Sequence, residues 1–328
     1  MVILTRTPLR VSFVGGGTDI PAYYTQRRGT VIATSLGYFI DIILCKPSRS
    51  SYIFEISCGT SHQVANEIAQ IEHPLIRESL KLIGINQPLR ISSFSNIPSG
   101  MGLGASSTFI VGLLHALYVY SGRNVHWQQL AQDAFHIEAE ILRQPIGRQD
   151  HNIAAHGGLC HLFFNADHTV QAERISCSPQ TIANLESDLM LFRIGQPRKA
   201  SDILKTIDPQ SCTFQYHLLK QLSRLCEYFR TELEEGKNLK NIGEILHAAW
   251  LIKRNLSSAV SNSEIDQMYA LSLRNGAVGG KLLGAGGSGF LLLYVSSSKQ
   301  YNIRRCLSSY QEIPFRFYMK GSTLITRK

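Results

Sequence analysis

Apolar residues recur with two different periods along the chain, and the two periods predict a mixture of strands and helices. In the first half, alternating and β-branched stretches predict strands at 2–14, 31–45 and 89–94, and a hairpin made of 157–164 and 169–175. Apolar residues three and four apart predict helices at 61–83, 105–120 and 125–142.

The second half continues this mixture. Helical spacing recurs at 210–233, 239–256, 263–275 and 298–310, and short apolar runs predict strands at 189–194, 278–283, 290–295 and 315–319. Because strands and helices mix in both halves, the expected fold class is α+β with two lobes. The expected division is residues 1–180 and 181–328, although no linker-like composition marks it.

Composition removes several classes of protein. No run of about 18 apolar residues occurs, so no transmembrane helix is expected, and the N-terminal residues lack the pattern of a signal peptide. Seven scattered cysteines without a C-x-x-C pair favour reduced thiols in the cytoplasm. The net charge of +9 comes from dispersed Lys and Arg, which favours a small anionic ligand over nucleic acid.

A glycine-rich stretch, IPSGMGLGASSTF at 97–109, precedes the predicted helix at 105–120. Its G-x-G-x-x-A spacing fits a dinucleotide fingerprint, but that fold requires an acidic residue about 20 positions later, and the first acidic residue downstream is Asp133. A phosphate-binding loop explains the stretch better, because glycines let backbone N–H groups approach phosphate oxygens at a helix N-terminus. Ser106 and Ser107 could then bind Mg²⁺ and phosphate, and the alternative is that one of them only caps the helix.

Two further glycine clusters, VGGGTD at 14–19 and GAGGSG at 284–289, follow predicted strands. With TPLRVSFVGGGTD, IPSGMGLGASS and KLLGAGGSGFLLLY in this order, the chain resembles the GHMP small-molecule kinases over nearly its whole length. The resemblance implies an N-terminal α/β lobe carrying the phosphate loop and a ferredoxin-like α+β C-terminal lobe. Within the family, PIGRQDHNIAAHGG resembles sugar 1-kinases that act on heptose 7-phosphate, with fucose kinases related.

The resemblance also implies the site. Asp150 and Arg10 are the implied catalytic residues, with Asp150 facing the acceptor hydroxyl, and Ser107 and Glu138 are the implied Mg²⁺ ligands. The implied ATP-binding residues are Ser99, Gly100, Met101, Gly102, Leu103, Gly104, Ala105, Ser106 and Ser107. The implied substrate-binding residues are Gly17, Thr18, Asp19, Gly286 and Gly287.

Each of these side chains also has a plainer interpretation. Arg10 could extend along a strand with its head in water, Asp19 could form a turn or cap a helix before Pro21, and Asp150 could cap a helix starting at His151. Glu140 competes with Glu138 from a different helix face. The three histidines His151, His156 and His161 recur every five residues, which does not favour a zinc site.

The expected reaction is ATP- and Mg²⁺-dependent phosphorylation of a sugar or sugar phosphate at the anomeric oxygen. A neutral-sugar kinase and a non-catalytic sugar or nucleotide sensor are the alternatives, and the oligomeric state stays open. Candidate cations for a substrate phosphate are Lys46, Arg143, Arg148, Arg198 and Lys253. Three residues depart from the family pattern, namely His151, Met101 and Ser288. The kinase interpretation requires Asp150 to lie beside the amides of residues 100–107.

Overall fold

The computed structural model describes residues 2–47, 53–95, 102–196 and 201–327. In this part of the chain, strands form one nine-stranded and one three-stranded sheet. The strands are β1 (Ile3–Val14), β2 (Gly29–Cys45), β3 (Phe54–Cys58), β4 (Ser61–Ala65), β5 (Leu89–Ser95), β6 (Cys160–Phe164), β7 (Val170–Arg174), β8 (Leu189–Ile194), β9 (Gly279–Leu282), β10 (Gly289–Tyr294), β11 (Phe317–Tyr318) and β12 (Thr323–Arg327).

The 17-residue strand β2 organises the larger sheet. One edge of β2 pairs antiparallel with β1, and the other edge is shared by β5, β11 and β6. The pairing of β1 with β2 shifts register between Pro8 and Arg10 and again between Ser12 and Val14. Such irregularities turn the strand locally and redirect its side chains, and Arg10 lies at the first of them.

The smaller sheet has the order β8-β10-β9 and is antiparallel. All six residues of its central strand β10 are buried, including Phe290 and three consecutive leucines. A strand covered on both faces needs a continuous apolar run rather than alternation, which the sequence FLLLY supplies.

Helices cover these sheets. They are α1 (Pro21–Tyr24), α2 (Pro74–Ile83), α3 (Ala105–Tyr120), α4 (Trp127–Phe135), α5 (Gln149–His156), α6 (Pro179–Asp188), α7 (Ser201–Leu204), α8 (Thr213–Glu235), α9 (Lys240–Lys253), α10 (Ser263–Arg274) and α11 (Gln300–Cys306). A π-helical segment, His136–Ile141, follows α4, and 3-10 turns occur at Ile68–Gln70 and Ser297–Lys299.

Local chemistry explains several helix ends. The Ser178 hydroxyl accepts the Thr181 N–H at the start of α6, and the Asn262 side chain accepts the Ile265 N–H at the start of α10. Helix α2 ends at Gly84, whose φ of 78° is left-handed. These signals are short and local, so they fix boundaries rather than packing.

The central helix α3 is apolar on most of its circumference and packs against β1 and β2. Helix α8, from the second half of the chain, also lies against these strands, and its Phe229 stacks on Phe13 at 5.1 Å between ring centroids. One continuous hydrophobic core therefore includes residues of both halves.

The observed elements confirm the expected α+β class and correct some boundaries. The predicted helix 61–83 is wrong in its first part, because 61–65 form β4, which pairs with β3. The predicted single helix 125–142 is α4 followed by the π-helical segment. Helix α6 was not expected at all, although the Ser-Pro pair before it is a common helix start.

The end of the chain returns to the first sheet. Strand β12 was not expected, and it pairs antiparallel with β1, while the predicted strand 315–319 shortens to β11, which pairs with β2. The division at residues 180 and 181 stays a prediction, with the last strands joining the sheet of the first half.

Candidate active site

A buried ion pair joins β1 to the start of α5. The Arg10 side chain donates from Nε to Asp150 Oδ1 and from Nη2 to Asp150 Oδ2, both at 2.6 Å, and Arg10 is only 4% exposed. Its third nitrogen, Nη1, donates to the carbonyl oxygen of Gly102 at 2.6 Å. The bidentate geometry fixes the carboxylate in one orientation, so Arg10 does not extend into water.

The glycine-rich loop passes directly beside this carboxylate. Gly104, with φ of 76°, immediately precedes α3, and a Cβ built on it would lie 3.3 Å from Asp150 Oδ2. The backbone carbonyl of buried Leu103 accepts a hydrogen bond from the backbone N–H of Arg10 at 3.1 Å. Asp150 therefore lies where the kinase interpretation requires it, beside the described part of the loop. The predicted ATP-binding residues Ser99, Gly100 and Met101 lie outside the described residues.

The start of α3 has no side-chain cap. The first amides of any helix lack partners within the helix, so those of Ala105, Ser106 and Ser107 are oriented toward the loop with the positive end of the helix dipole. Ser106 and Ser107 do not cap the helix, because their hydroxyls instead contact the carboxylate of Glu138, Ser106 by a short bond and Ser107 at 3.0 Å.

Glu138 reaches these serines from the π-helical segment. Such segments widen the helix by one residue per turn and occur frequently at functional sites. Glu138 is 4% exposed, whereas Glu140, the other candidate, is largely exposed and contacts His136 at 2.7 Å. In this wider segment Glu138 faces the loop, whereas Glu140 is exposed to solvent.

A histidine completes the surroundings of Glu138. His151, fully buried on α5, contacts Glu138 Oε2 through Nε2 at 2.8 Å. Burial alone would raise the pKa of Glu138, but hydrogen bonds and charge from His151, with the bonds from Ser106 and Ser107, hold that pKa below its ordinary value. The carboxylate therefore stays ionised and ready to bind a cation.

These oxygens fit Mg²⁺. The ion prefers hard oxygen ligands and is usually held by one or two carboxylates, with water and substrate phosphates completing its shell. The described residues contain no group of three or more His, Cys, Asp or Glu side chains that could hold a metal alone. A pair of serines and one carboxylate beside a phosphate loop is the smaller ligand set that a nucleotide-borne Mg²⁺ requires.

The first glycine cluster supports the start of α5. Asp19 is 1% exposed, and its carboxylate accepts N–H groups from Gly17 at 2.9 Å and from the Gln149 backbone at 3.1 Å. Burial raises the pKa of Asp19, with a smaller contribution from the Asp150 charge, against the lowering effect of these backbone bonds. Asp19 therefore caps α5, not the helix that starts at Pro21.

Thr18 has a structural place in the same turn. Its hydroxyl is fully buried, accepts the Thr30 N–H at 2.9 Å and lies 2.8 Å from the carbonyl oxygens of Gly15 and Thr30. These contacts hold the turn against β2 and leave the hydroxyl no access to a sugar. The placement argues against the direct substrate contact that the resemblance implies for Thr18.

The third glycine cluster packs against the loop backbone to backbone. A Cβ on Gly284 would lie 2.5 Å from the Cα of Gly102, so neither position has room for a side chain. Gly286, with φ of 126°, and Gly287 lie against Val260, and the Gly287 N–H donates to the Val260 carbonyl at 2.8 Å. The contact with the phosphate loop is therefore made at Gly284, and the substrate role expected of Gly286 and Gly287 stays a prediction.

The predictions from the sequence gave no role to Gln149 or Lys281. Gln149 donates through both its backbone and its side chain to Asp19, and the side-chain oxygen has no partner among the described residues. Lys281 is buried beside the first glycine cluster, where its Nζ donates to the Phe13 carbonyl at 2.7 Å. The sequence signal for Lys281 is a lysine inside an otherwise apolar strand, three residues before the start of the glycine run.

A cavity of about 460 Å³ lies on the other side of the α5 start. Ile20, Tyr24, Phe135, Arg148 and Leu204 contribute to its largely apolar wall. Arg148 lines this cavity but Arg10 and Asp150 do not, so the cavity lies near the ion pair without containing it. Arg148 is buried over the Phe135 ring and donates to the His168 carbonyl at 2.8 Å.

The remaining candidates are dispersed. Lys46 and Arg143 are exposed, and Arg198 lies outside the described residues. His161 contacts Thr30, and burial lowers its pKa to about 4, while His151 serves Glu138, so these histidines do not converge. All seven cysteines are free. Within the described residues, no helix has the length and apolar character needed to cross a bilayer.

Comparison with known proteins agrees with this geometry. Residues 66–158 match the GHMP kinases N terminal domain, and residues 228–312 match the GHMP kinases C terminal model. A D-glycero-alpha-D-manno-heptose 7-phosphate kinase of Campylobacter jejuni is 29% identical, with 94% of each chain covered. A bifunctional fucokinase/GDP-fucose pyrophosphorylase of Arabidopsis thaliana is 25% identical over 95% of this chain, which spans 32% of that longer protein.

Solved structures share the fold. A structure described as a D-glycero-D-manno-heptose 1-phosphate kinase from Bacteroides thetaiotaomicron superposes with a TM-score of 0.82 at 20% identity, covering 100% of both chains. The two family models together span more than half of the chain, and the matched parts contain Asp150, the serine–glutamate cluster and the second and third glycine clusters. The chain therefore belongs to the GHMP kinase family and is a kinase.

Proposed function

We propose that the protein transfers the terminal phosphoryl group of ATP to the anomeric hydroxyl of a sugar, with D-glycero-D-manno-heptose 7-phosphate as the preferred acceptor. The single observation that carries the proposal is the position of the Asp150 carboxylate. It is held by two bonds from Arg10 and lies against Gly104, at the uncapped start of α3.

Phosphoryl transfer requires mainly positioning and positive charge around the transferred group. The amides at the start of α3 and the glycines before them bind phosphate oxygens, and Arg10 holds both Asp150 and the Gly102 carbonyl in place. Ser107 and Glu138, with Ser106 beside them, would hold Mg²⁺, which would supply positive charge to the phosphate oxygens.

Asp150 orients the acceptor. Its carboxylate accepts a hydrogen bond from the anomeric hydroxyl, whose oxygen forms the new bond to phosphorus while the bond between the terminal phosphorus and the bridging oxygen of ATP breaks. The leaving group is ADP, and the hydroxyl proton passes to Asp150 or to water. Arg10 fixes the direction of the carboxylate, and an anomeric hydroxyl is more acidic than an ordinary alcohol, so Asp150 acts mainly by orienting the acceptor.

Three observations support a phosphorylated heptose as the acceptor. The C. jejuni relative is a heptose 7-phosphate kinase at 29% identity, and the net charge of +9 suits a substrate that is itself anionic. The cavity near the start of α5 offers room for a sugar phosphate, with Arg148 in its wall. The free cysteines suit a reducing cytoplasm as the compartment.

A panel of sugars with ATP and Mg²⁺ tests the proposal. We expect ADP release with D-glycero-D-manno-heptose 7-phosphate, and phosphorus NMR should show the new phosphate coupled to the anomeric proton. Turnover on L-fucose or another neutral sugar, with none on the heptose phosphate, would replace the substrate. ATP binding without turnover on any sugar would contradict the enzymatic role and indicate a sensor.

A further inference from the structure

Two buried lysines lie beneath the third glycine cluster. Lys253, the last residue of α9, donates from Nζ to the carbonyl oxygens of Leu282 at 2.8 Å and Gly284 at 2.6 Å. Lys281, on β9, donates from Nζ to the carbonyl oxygen of Phe13 at 2.7 Å. Both side chains are buried, Lys253 at 9% and Lys281 at 4% exposure. We call Lys253 and Lys281 the lysine pair.

The lysine pair has no carboxylate partner among the ion pairs of the described residues, and the undescribed internal segments contain no Asp or Glu. The positive charges that act on Lys253 are those of Lys281 and Arg10, and the one that acts on Lys281 is that of Arg10, which is itself paired with Asp150. Burial and these like charges lower the pKa of both lysines, that of Lys281 to about 7. Buried ammonium groups are normally paired with an anion, so these two amines lack the partner that would stabilise their charged form in the free protein.

The pair lies where the three glycine clusters meet. Lys253 binds the carbonyl of Gly284, which packs on Gly102 of the phosphate loop. Lys281 crosses from the small sheet to Phe13, which immediately precedes the first glycine cluster. The phosphate loop itself contains no lysine after its last glycine, so positive charge for a triphosphate has to come from elsewhere in the fold.

We propose that the lysine pair is the charge partner of the nucleotide's phosphate chain, supplying from the second sheet the cations that the phosphate loop lacks. This inference rests on the proposed function. The lysines act as positioning residues, because they hold the third cluster against the loop and attract the anion through it. Burying these amines without an anion destabilises the free protein, and the nucleotide supplies the missing anion when it binds.

Proton uptake is the distinctive consequence. The groups that face Lys281 are Arg10 on β1, Cys226 on α8 and Lys253 on α9. None of the three is an anion in the free protein, since burial raises the pKa of the Cys226 thiol to about 12. A polyphosphate brought close to Lys281 favours its charged form, so binding near pH 8 should draw about one proton from solution.

The experiment compares the wild-type protein with Lys253→Met and Lys281→Met. Lys240→Met is the matched control, because Lys240 starts the same helix α9 and is exposed. Calorimetric titration with a non-hydrolysable ATP analogue and Mg²⁺ at pH 8, in buffers of different ionisation enthalpy, gives the affinity and the protons taken up. Thermal denaturation gives the Tm of the free proteins.

We expect both pair variants to bind the analogue roughly 10-fold or more weakly, and Lys281→Met to lose the proton uptake. Their Tm values should rise by about 3 °C or more, because a buried amine that cannot keep its proton without an anion is removed. Lys240→Met should match the wild type in all three measurements.

Wild-type binding without proton uptake, or pair variants that bind as tightly as the wild type with a lower Tm, would overturn the inference and leave the lysines as ties of the glycine turn. The wild-type proton count needs no variant to fold. Absence of nucleotide binding by the wild-type protein would overturn the proposed function itself, which separates the two failures.

Discussion

The two sides of the candidate site hold their charges in opposite ways. On the side of the large sheet, each buried charge meets an opposite or hydrogen-bonding partner, with Arg10 on Asp150 and Glu138 on His151. On the side of the small sheet, Lys253 and Lys281 bond only to backbone carbonyls. The first side has its partners in place without a ligand, whereas the second holds two buried amines whose missing anion a ligand can supply.

This difference distinguishes charges that fix the geometry of the site from charges that attract an anion. Paired charges fix the direction of a side chain, which suits the orientation of an acceptor hydroxyl. Unpaired buried charges lower the stability of the free protein, and the same charges raise its affinity for an anion. A substitution that breaks the pair of Arg10 and Asp150 should therefore lower the stability of the protein, whereas a substitution that removes Lys281 should raise it.

The largest effect on activity is expected from Asp150→Asn. The substitution keeps the size of the side chain but removes the charge opposite Arg10, so kcat should fall by at least roughly 100-fold. Stability should fall by roughly 2 kcal/mol, since a buried guanidinium loses its anion while the side chain of Asp150 is partly open to water. Steady-state kinetics and urea denaturation measure the two changes. Near-normal turnover in a folded protein would remove Asp150 from the mechanism.

Lys281→Met is expected to raise the stability of the protein, by an amount that depends on pH. The folded-state pKa of about 7 lies below the ordinary 10.5, so the unfolded chain binds this proton first as the pH falls from 10.5 toward 7. Stability is lost over that window, by roughly 4 to 5 kcal/mol at its lower end. The variant also loses the hydrogen bond to the Phe13 carbonyl, which offsets part of its gain in stability.

Denaturation of the wild type and Lys281→Met at several pH values checks this expectation. The variant should be the more stable protein near pH 7, and its advantage should vanish near pH 10. Comparing the two proteins at each pH cancels the titration of tyrosines and cysteines that both contain. An advantage independent of pH would show that packing, and not charge, separates them.

A smaller effect is expected at the metal ligands. Glu138→Gln removes the ionised oxygen facing Ser106 and Ser107, so the Mg²⁺ concentration for half-maximal activity should rise at least roughly 10-fold. The matched control is Glu140→Gln, whose carboxylate is exposed two residues away. Binding of Mn²⁺ with ADP, followed by electron paramagnetic resonance, supplies a readout independent of turnover. Equal shifts in both variants would contradict the assignment of Glu138.

The smallest effect is expected at His151. In His151→Gln an amide N–H can still reach Glu138, so the Mn²⁺ affinity should stay within about threefold of the wild type, while His151→Leu should weaken it about 10-fold. Metal titration of the two variants tests whether the hydrogen bond or the imidazole matters. Equal weakening in both would mean that the ring itself is required.

The sequence was sufficient for the parts that depend on local order. Apolar periods predicted β1, α3, α8 and β10 with errors of a few residues at their ends, because a buried face must repeat with the period of its own element. The glycine clusters were also visible, since left-handed turns such as Gly102 and Gly104 admit few other residues. From these the family resemblance, and with it Arg10, Asp150 and Glu138, could be named.

Only the tertiary structure decided which of these features share a site. The contact of Gly102 with Gly284, the pairing of β12 with β1 and the strand form of residues 61–65 depend on partners far away in the chain. The state of Lys281 depends on the same thing, because a lysine in a strand has an ordinary pKa until the fold buries it beside other cations. Period and turn chemistry are local properties of the chain, whereas burial, pairing and charge environment exist only after distant segments meet.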